Sequence, residues 1–184
     1  MKKINILIGL FSLISISETF SQNVAIKANA LSWLTATPAI AAEVKVADQW
    51  SVDLGVQYNP FSFSSKQWKH FLVQPEVRYW LCDAFNGHFI GAHAHYGTYD
   101  VKNLRFLQSE NKRSEGNAYG AGLTYGYHYP LSDVWSIEGY IGLGYACLDE
   151  NQYGPEKCAP LIHSEVKHYV GPTRIGISFV YFIY

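Results

Sequence analysis

Charge is scarce in this chain of 184 residues. Only 16% of its residues are Asp, Glu, Lys or Arg, and these nearly cancel to a formal net charge of −1. A nucleic-acid partner needs a basic face, so that class is excluded. Disorder is excluded as well, because 48% of the residues are hydrophobic. Long apolar runs are also missing. Mean hydropathy is −0.05, far from that of a helical membrane protein, whose spans need runs of about 18 apolar residues or more. Cysteine is limited to Cys82, Cys147 and Cys158, an odd number that leaves at least one thiol unpaired within the chain. Helical periodicity is nearly absent. What the chain has in quantity is 14 Tyr, 10 Phe, 5 Trp and 15 Gly.

The first residues read as a leader. Lys2 and Lys3 precede an apolar stretch from Ile4 to Ile16, followed by a more polar segment from Ser17 to Ser21. This is the pattern of a secretory signal peptide, with cleavage expected after Ser21 and residues 22–184 forming one exported domain. The apolar stretch is short for a membrane anchor. Export favours oxidised thiols, and Cys147 and Cys158 flank a segment that reads as a loop. A disulfide between them is one reading; free thiols are the other.

Beyond the leader the dominant period is two. Trp50, Val52, Leu54, Val56 and Tyr58 alternate with Ser51, Asp53, Gly55, Gln57 and Asn59 in the clearest of these segments. Similar alternation covers residues 24–30, 40–46, 71–81, 88–99, 119–129, 135–145 and 168–184. Pro75, within the fourth segment, lacks a backbone donor and predicts a bulge or strained pairing there. That makes eight candidate strands. Their connections alternate between tight turns, at 47–49, 82–87 and 130–134, and long loops, at 60–70, 100–116 and 149–165. The expected fold is all-β, an eight-stranded antiparallel up-and-down transmembrane β-barrel.

Three features orient the two faces. The polar face carries Lys27, Glu43, Lys45, Asp53, Glu76, Arg78, Glu138 and Arg174 at mid-strand, four basic and four acidic, which can pair as a network that plugs a narrow lumen. The same face carries many glycines, which suit a crowded barrel interior. The apolar face places aromatics near both strand ends. Trp50, Tyr79, Tyr127, Tyr129, Trp135 and Tyr181 fall toward the tight turns, and Trp33, Tyr58, Phe71, Tyr96, Tyr119 and Tyr145 toward the loops. Two such belts match two lipid–water interfaces. The expected surroundings are outer-membrane lipid and lipopolysaccharide. The segment from Arg174 to Tyr184 resembles the C-terminal strand signal read by barrel-assembly machinery.

Two stretches resemble a known family. Phe71 to Cys82 reads FLVQPEVRYWLC and is followed by Phe85-Asn86-Gly87-His88-Phe89; Gly91 to Gly97 reads GAHAHYG. Together they resemble the domain-of-unknown-function family 3575, found mainly in Bacteroidetes and thought to form outer-membrane barrels. Some members are similar to the barrel half of OmpA and carry a further periplasmic domain; the resemblance here is to the barrel alone. Relatives are sometimes associated with fimbrial gene clusters, which implies a surface or fimbrial protein partner. The family brings no activity and no cofactor with it.

A few residues allow other chemistry. His93 and His95 share one strand face, and His128 belongs to the neighbouring strand, a spacing that can hold a metal. The competing reading is a hydrogen-bonded lumen network, and no metal is expected. His163, Ser164 and Glu165, or Ser64 and His70, lie in long loops and raise a lipid A-modifying enzyme as an alternative, without a recognisable motif. A secreted lipocalin-like binder would instead turn Trp50, Leu54, Val56 and Tyr58 inward around an apolar ligand. The leading expectation is a barrel with a structural or cell-surface interaction role, without catalysis or transport.

Overall fold

The computed structural model describes residues 24–34, 36–60, 62–63, 66–102, 113–153 and 161–183. Among these residues, nine strands form one antiparallel sheet: β1 (Val24–Asn29), β2 (Ala39–Ala47), β3 (Trp50–Asn59), β4 (Ser62–Phe63), β5 (Lys66–Trp80), β6 (Gly87–Lys102), β7 (Arg113–Pro130), β8 (Trp135–Tyr153) and β9 (Leu161–Ile183). Consecutive long strands pair with each other, β1 also pairs with β9, and β3 pairs with β5 past the two-residue β4. The eight long strands therefore close into an up-and-down barrel, and closure removes the sheet edges within the ring.

Alternation decides what lies inside. Ser51, Asp53 and Asn59 of β3 are buried while Trp50, Val52, Leu54 and Tyr58 are exposed. The same parity holds in β5, where Gln74, Glu76 and Arg78 are buried and Phe71, Val77 and Tyr79 face out. The polar face is the interior, and the apolar face covers the outside of the ring. Residues of both expected aromatic belts are among the exposed set, including Trp50 and Trp135 at the tight turns and Tyr96 and Tyr145 toward the other end. Trp50 packs on Tyr79 and Trp135 on Tyr181, with ring centroids 5.0 and 4.9 Å apart. The lipocalin-like arrangement is thereby corrected, since Trp50, Leu54 and Tyr58 point away from the interior.

Two local features depart from the sequence reading. The first strand stops at Asn29 and is followed by a single helical turn, α1 (Ala30–Leu34). Asn29 acts as its cap, its Oδ1 accepting from the backbone amides of Leu31 (3.0 Å) and Ser32 (3.3 Å). At Pro75 the expectation of disturbed pairing holds, although there is no bulge or register shift. Pro75 pairs with Leu54 on one side, while the β5–β6 ladder skips from Val73–Tyr96 to Glu76–His93.

The second departure is the larger. The expected loops 100–116 and 149–165 are strand over much of their length. β6 runs on to Lys102, β7 begins at Arg113, β8 reaches Tyr153 and β9 begins at Leu161. Asp100 pairs with Glu115, and Glu150 with Glu165. Strands β5–β9 thus continue past the ring as a tall wall, with β1–β3 far shorter on the opposite side.

Candidate functional site

The lumen is layered from the tight-turn end upward. The lowest layer is aromatic: Trp80, Phe85, Phe89 and Phe182 pack with Ala25 and Val180. Phe85 sits in the 81–86 turn with φ 66°, a left-handed backbone that an L side chain adopts at a cost of about 1–2 kcal/mol. That conformation folds its ring back into the barrel, 5.1 Å from Phe182 and 5.7 Å from Trp80. Trp80 donates its indole N–H to Ser51 Oγ at 2.8 Å, and Ser51 in turn bonds Glu43. This aromatic layer was not anticipated. Its signal was present as lapses in alternation, at Tyr79-Trp80-Leu81, Phe89-Ile90 and Phe179 to Ile183, where apolar residues occupy both faces.

The second layer is ionic. Register places Glu43 opposite Asp53, Asp53 opposite Glu76, and Glu76 opposite His93, so three carboxylates form one cross-strand row. Like charges placed directly opposite one another repel. The row holds because cations reach it from elsewhere in the ring. Arg78 contacts Glu43 (3.0 Å), Glu76 (2.9 Å) and Glu138 (2.8 Å). Arg174 contacts Asp53 and Glu76, both at 2.7 Å. Lys27 contacts Glu138 at 2.7 Å and pairs with Glu43. The Arg78 guanidinium carbon also lies over the Phe89 ring, 4.3 Å from its centroid, which ties the two layers together.

The space for these large groups comes from glycine. Gly91 stands opposite Arg78, and a Cβ there would overlap the Glu76 carboxylate. Gly126 does the same for Phe89, and Gly120 and Gly122 for His95 and His93. The free space beside Lys27, Asn29, Gly55, Gln74 and Arg174 is about 20 Å³, room for roughly one water.

Seven of the eight expected lumen charges therefore meet. Lys45 does not. It lies toward the tight turn, beside a register shift between Lys45 and Ala47, and approaches the exposed Asp48 at 3.6 Å. Without it, three cationic side chains face four carboxylates. His128 stands nearby, its Nδ1 3.6 Å from Glu138 Oε2.

The histidines fall into two places. His93 bonds Thr124 through Nδ1 and Thr173 through Nε2, both at 2.9 Å, and His95 lies beside it with ring centroids 5.9 Å apart. His128 belongs to the aromatic layer, 5.7 Å from Trp80 and 6.0 Å from Phe182. His93 pairs with Gly122, six positions along β7 from His128, or about 20 Å at roughly 3.3 Å per residue. The trio does not converge, and among the described residues no group of three or more His, Cys, Asp or Glu side chains is placed to hold a metal. Cys147 carries a free buried thiol and Cys82 a free exposed one, while Cys158 lies outside the described residues.

Above the ring, polar contacts lie on both faces of the wall. Ser114 donates to Glu150 at 2.7 Å, and Lys167 bonds Glu150 at 2.6 Å. That hydrogen bond raises the Lys167 ammonium above its ordinary pKa. Burial, then the nearby Glu150 and Asp149 carboxylates, push the Tyr99 phenol up to about 12. On the outer face, Tyr145 bonds His168 Nδ1 at 2.5 Å with stacked rings. A cleft of about 410 Å³ opens at the same level, between Tyr58, Lys69, Phe71, Asp100, Glu115 and Asn117. His163 and Glu165 approach to 3.8 Å. Ser164 between them points to the opposite face of the strand, so the three residues do not form a relay. Ser64 lies outside the described residues.

The chain is thus a small closed β-barrel with a charged, glycine-lined interior. A family model for a protein of unknown function, DUF3575, matches residues 6–183, and the chain belongs to that family. Among curated proteins, none matches it.

Proposed function

We propose that the chain is an outer-membrane β-barrel with a structural or cell-surface interaction role. The observation that carries this reading is the inverted polarity. Arg78, Glu43, Glu76 and Glu138 are fully buried, while Ile40, Leu54, Ile90, Leu123, Leu143 and Ile175 are about half exposed or more. Soluble monomers rarely expose a contiguous apolar patch beyond a few hundred Å², and here the apolar face encircles the ring. In hydrocarbon a closed sheet leaves no backbone group unpaired at an edge. Aromatics at both rims fit the two interfaces. The charged cleft above Tyr58 and Phe71 would then lie at the level of lipid or lipopolysaccharide headgroups.

The leader at residues 1–21 and insertion by barrel-assembly machinery belong to the same proposal. So does an interaction role for the wall, with a surface or fimbrial protein as one class of partner. No catalytic step enters the reading.

Expression of the whole chain with its leader in a Gram-negative host tests it. The expected product floats with outer membranes, begins at Gln22, and runs faster on unheated than on heated gels. Recovery from the periplasm as a soluble protein without detergent would overturn the proposal.

A further inference from the structure

The wall leaves one long edge open. β9 pairs with β8 from Leu161 upward in sequence, but β1 covers its other side only from Ser178 to Ile183. Among the described residues, no strand pairs with that other side between Leu161 and Ile177, although α1 packs against β9 and Asn29 Nδ2 donates to the Ile175 carbonyl at 3.4 Å. His163 to Val170 are exposed without interruption, on both faces. Gly171 and Pro172 follow, and a proline on an edge ends any further pairing. The open edge is therefore bounded, and its central residues are His163-Ser164-Glu165-Val166-Lys167-His168-Tyr169.

These residues complement themselves. In an antiparallel pair related by a two-fold axis through Val166, Glu165 of one copy faces Lys167 of the other, and the reverse. Ser164 faces His168, and His163 faces Tyr169. A two-fold axis normal to the sheet keeps each side chain on its face only when it passes through a residue. Moving the axis to Glu165 or to Lys167 places like charges opposite each other, which is unfavourable. A parallel in-register pair does so twice. Within one chain, Glu165 already stands directly opposite Glu150, with Lys167 reaching Glu150 at 2.6 Å and Glu165 at 3.8 Å.

We infer that a second copy of this chain docks on the open edge of β9, strand to strand and antiparallel, centred on Val166. Main-chain hydrogen bonds supply the attraction and the charge order supplies the register. An antiparallel pair points the two barrels in opposite directions. If the barrels sit in outer membranes, as proposed above, the pair joins two facing membranes. The pairing is of the short, transient class, since one strand buries little area.

The test uses the whole exported chain in detergent, or in buffer if it proves soluble, so failure of the membrane reading and failure of this inference are read separately. Heat-modifiable migration first confirms that each variant is folded. Sedimentation at about 100 µM, a concentration suited to weak association, should show a dimer for the parent chain. Glu165→Lys alone and Lys167→Glu alone should each weaken association about tenfold or more, because two attractive pairs become repulsive. An equimolar mixture of the two variants should recover it, since each then faces its opposite charge. Val166→Cys should give a disulfide-linked dimer under mild oxidation, because opposite Cα atoms lie about 4.5–5.5 Å apart. His168→Cys should not. A monomeric parent, a mixture no better than its components, or equal crosslinking at 166 and 168 would each overturn the inference.

Discussion

The ring and the wall are built from the same strands, yet a side chain meets different surroundings in each. In the ring, Arg78 is enclosed by Glu43, Glu76, Glu138 and Phe89 and is fully buried. In the wall, Lys167 makes a similar short contact with Glu150 but keeps 44% of its side-chain surface in solvent. Water screens the second pair and competes with it; the first pair has no such alternative. One β-ladder thus carries an ionic core whose members depend on one another and an appendage whose contacts are individually dispensable.

Substitutions can break this contrast or sharpen it. The largest loss is expected from Arg78→Ala, which strands buried carboxylates. Unfolding in urea, followed by tryptophan fluorescence, should show about 3–5 kcal/mol of destabilisation. Next comes Gly91→Val, whose Cβ displaces the Glu76 carboxylate from its place. A loss of about 1–3 kcal/mol is expected, as for other overpacked interiors. Gly171→Ala in the wall provides the counterpart, because its Cβ meets only the ring end of Tyr169, and the unfolding midpoint should not move.

Tyr145→Phe removes the 2.5 Å hydrogen bond to His168 on the exposed outer face. Global stability should change by no more than about 0.5 kcal/mol, with amide exchange rising only around residues 145 and 168. The smallest effect concerns pH. Lys167 is raised by its hydrogen bond to Glu150, so the stabilisation is complete below the ordinary lysine value of 10.5 and is lost as pH rises through the raised value. An NMR titration of the Lys167 side chain should give a midpoint above 10.5, returned toward the ordinary value by Glu150→Gln. A midpoint unchanged by that substitution would remove the assigned cause.

Much of the ring was legible from residues 24–183 because each strand meets two different environments. That contrast imprints period two, and parity then assigns Lys27, Glu43, Asp53, Glu76, Arg78, Glu138 and Arg174 to the interior. Where the contrast fades, so does the signal. In the wall, polar and charged residues fall on both parities, so Asp100 to Lys102 and Leu161 to Glu165 read as loop although their ladders continue. At the tight-turn end both faces are apolar, so Trp80, Phe89 and Phe182 gave no parity to read. Lys45 shares the parity of Glu43 but sits beside the register shift at the turn, a height that alternation does not encode. The cap at Asn29 was hidden for another reason. Its side chain also bonds Tyr140 at 3.1 Å within the barrel, so it reads as one more inward polar residue.

The six-residue β1 has a mechanical consequence. It is held by five register pairs to β2 and six to β9, whereas β8 and β9 run together over most of their lengths. A pull on the N-terminus therefore loads the barrel at its shortest seam. Lys27 sits at the middle of that seam, with its ammonium pinned to Glu138 of β8 and Glu43 of β2. Peeling β1 pair by pair stalls at this clasp, because the next step drags a charge out of the ionic layer. The seam therefore resists through one buried ammonium as well as through its short run of backbone pairs.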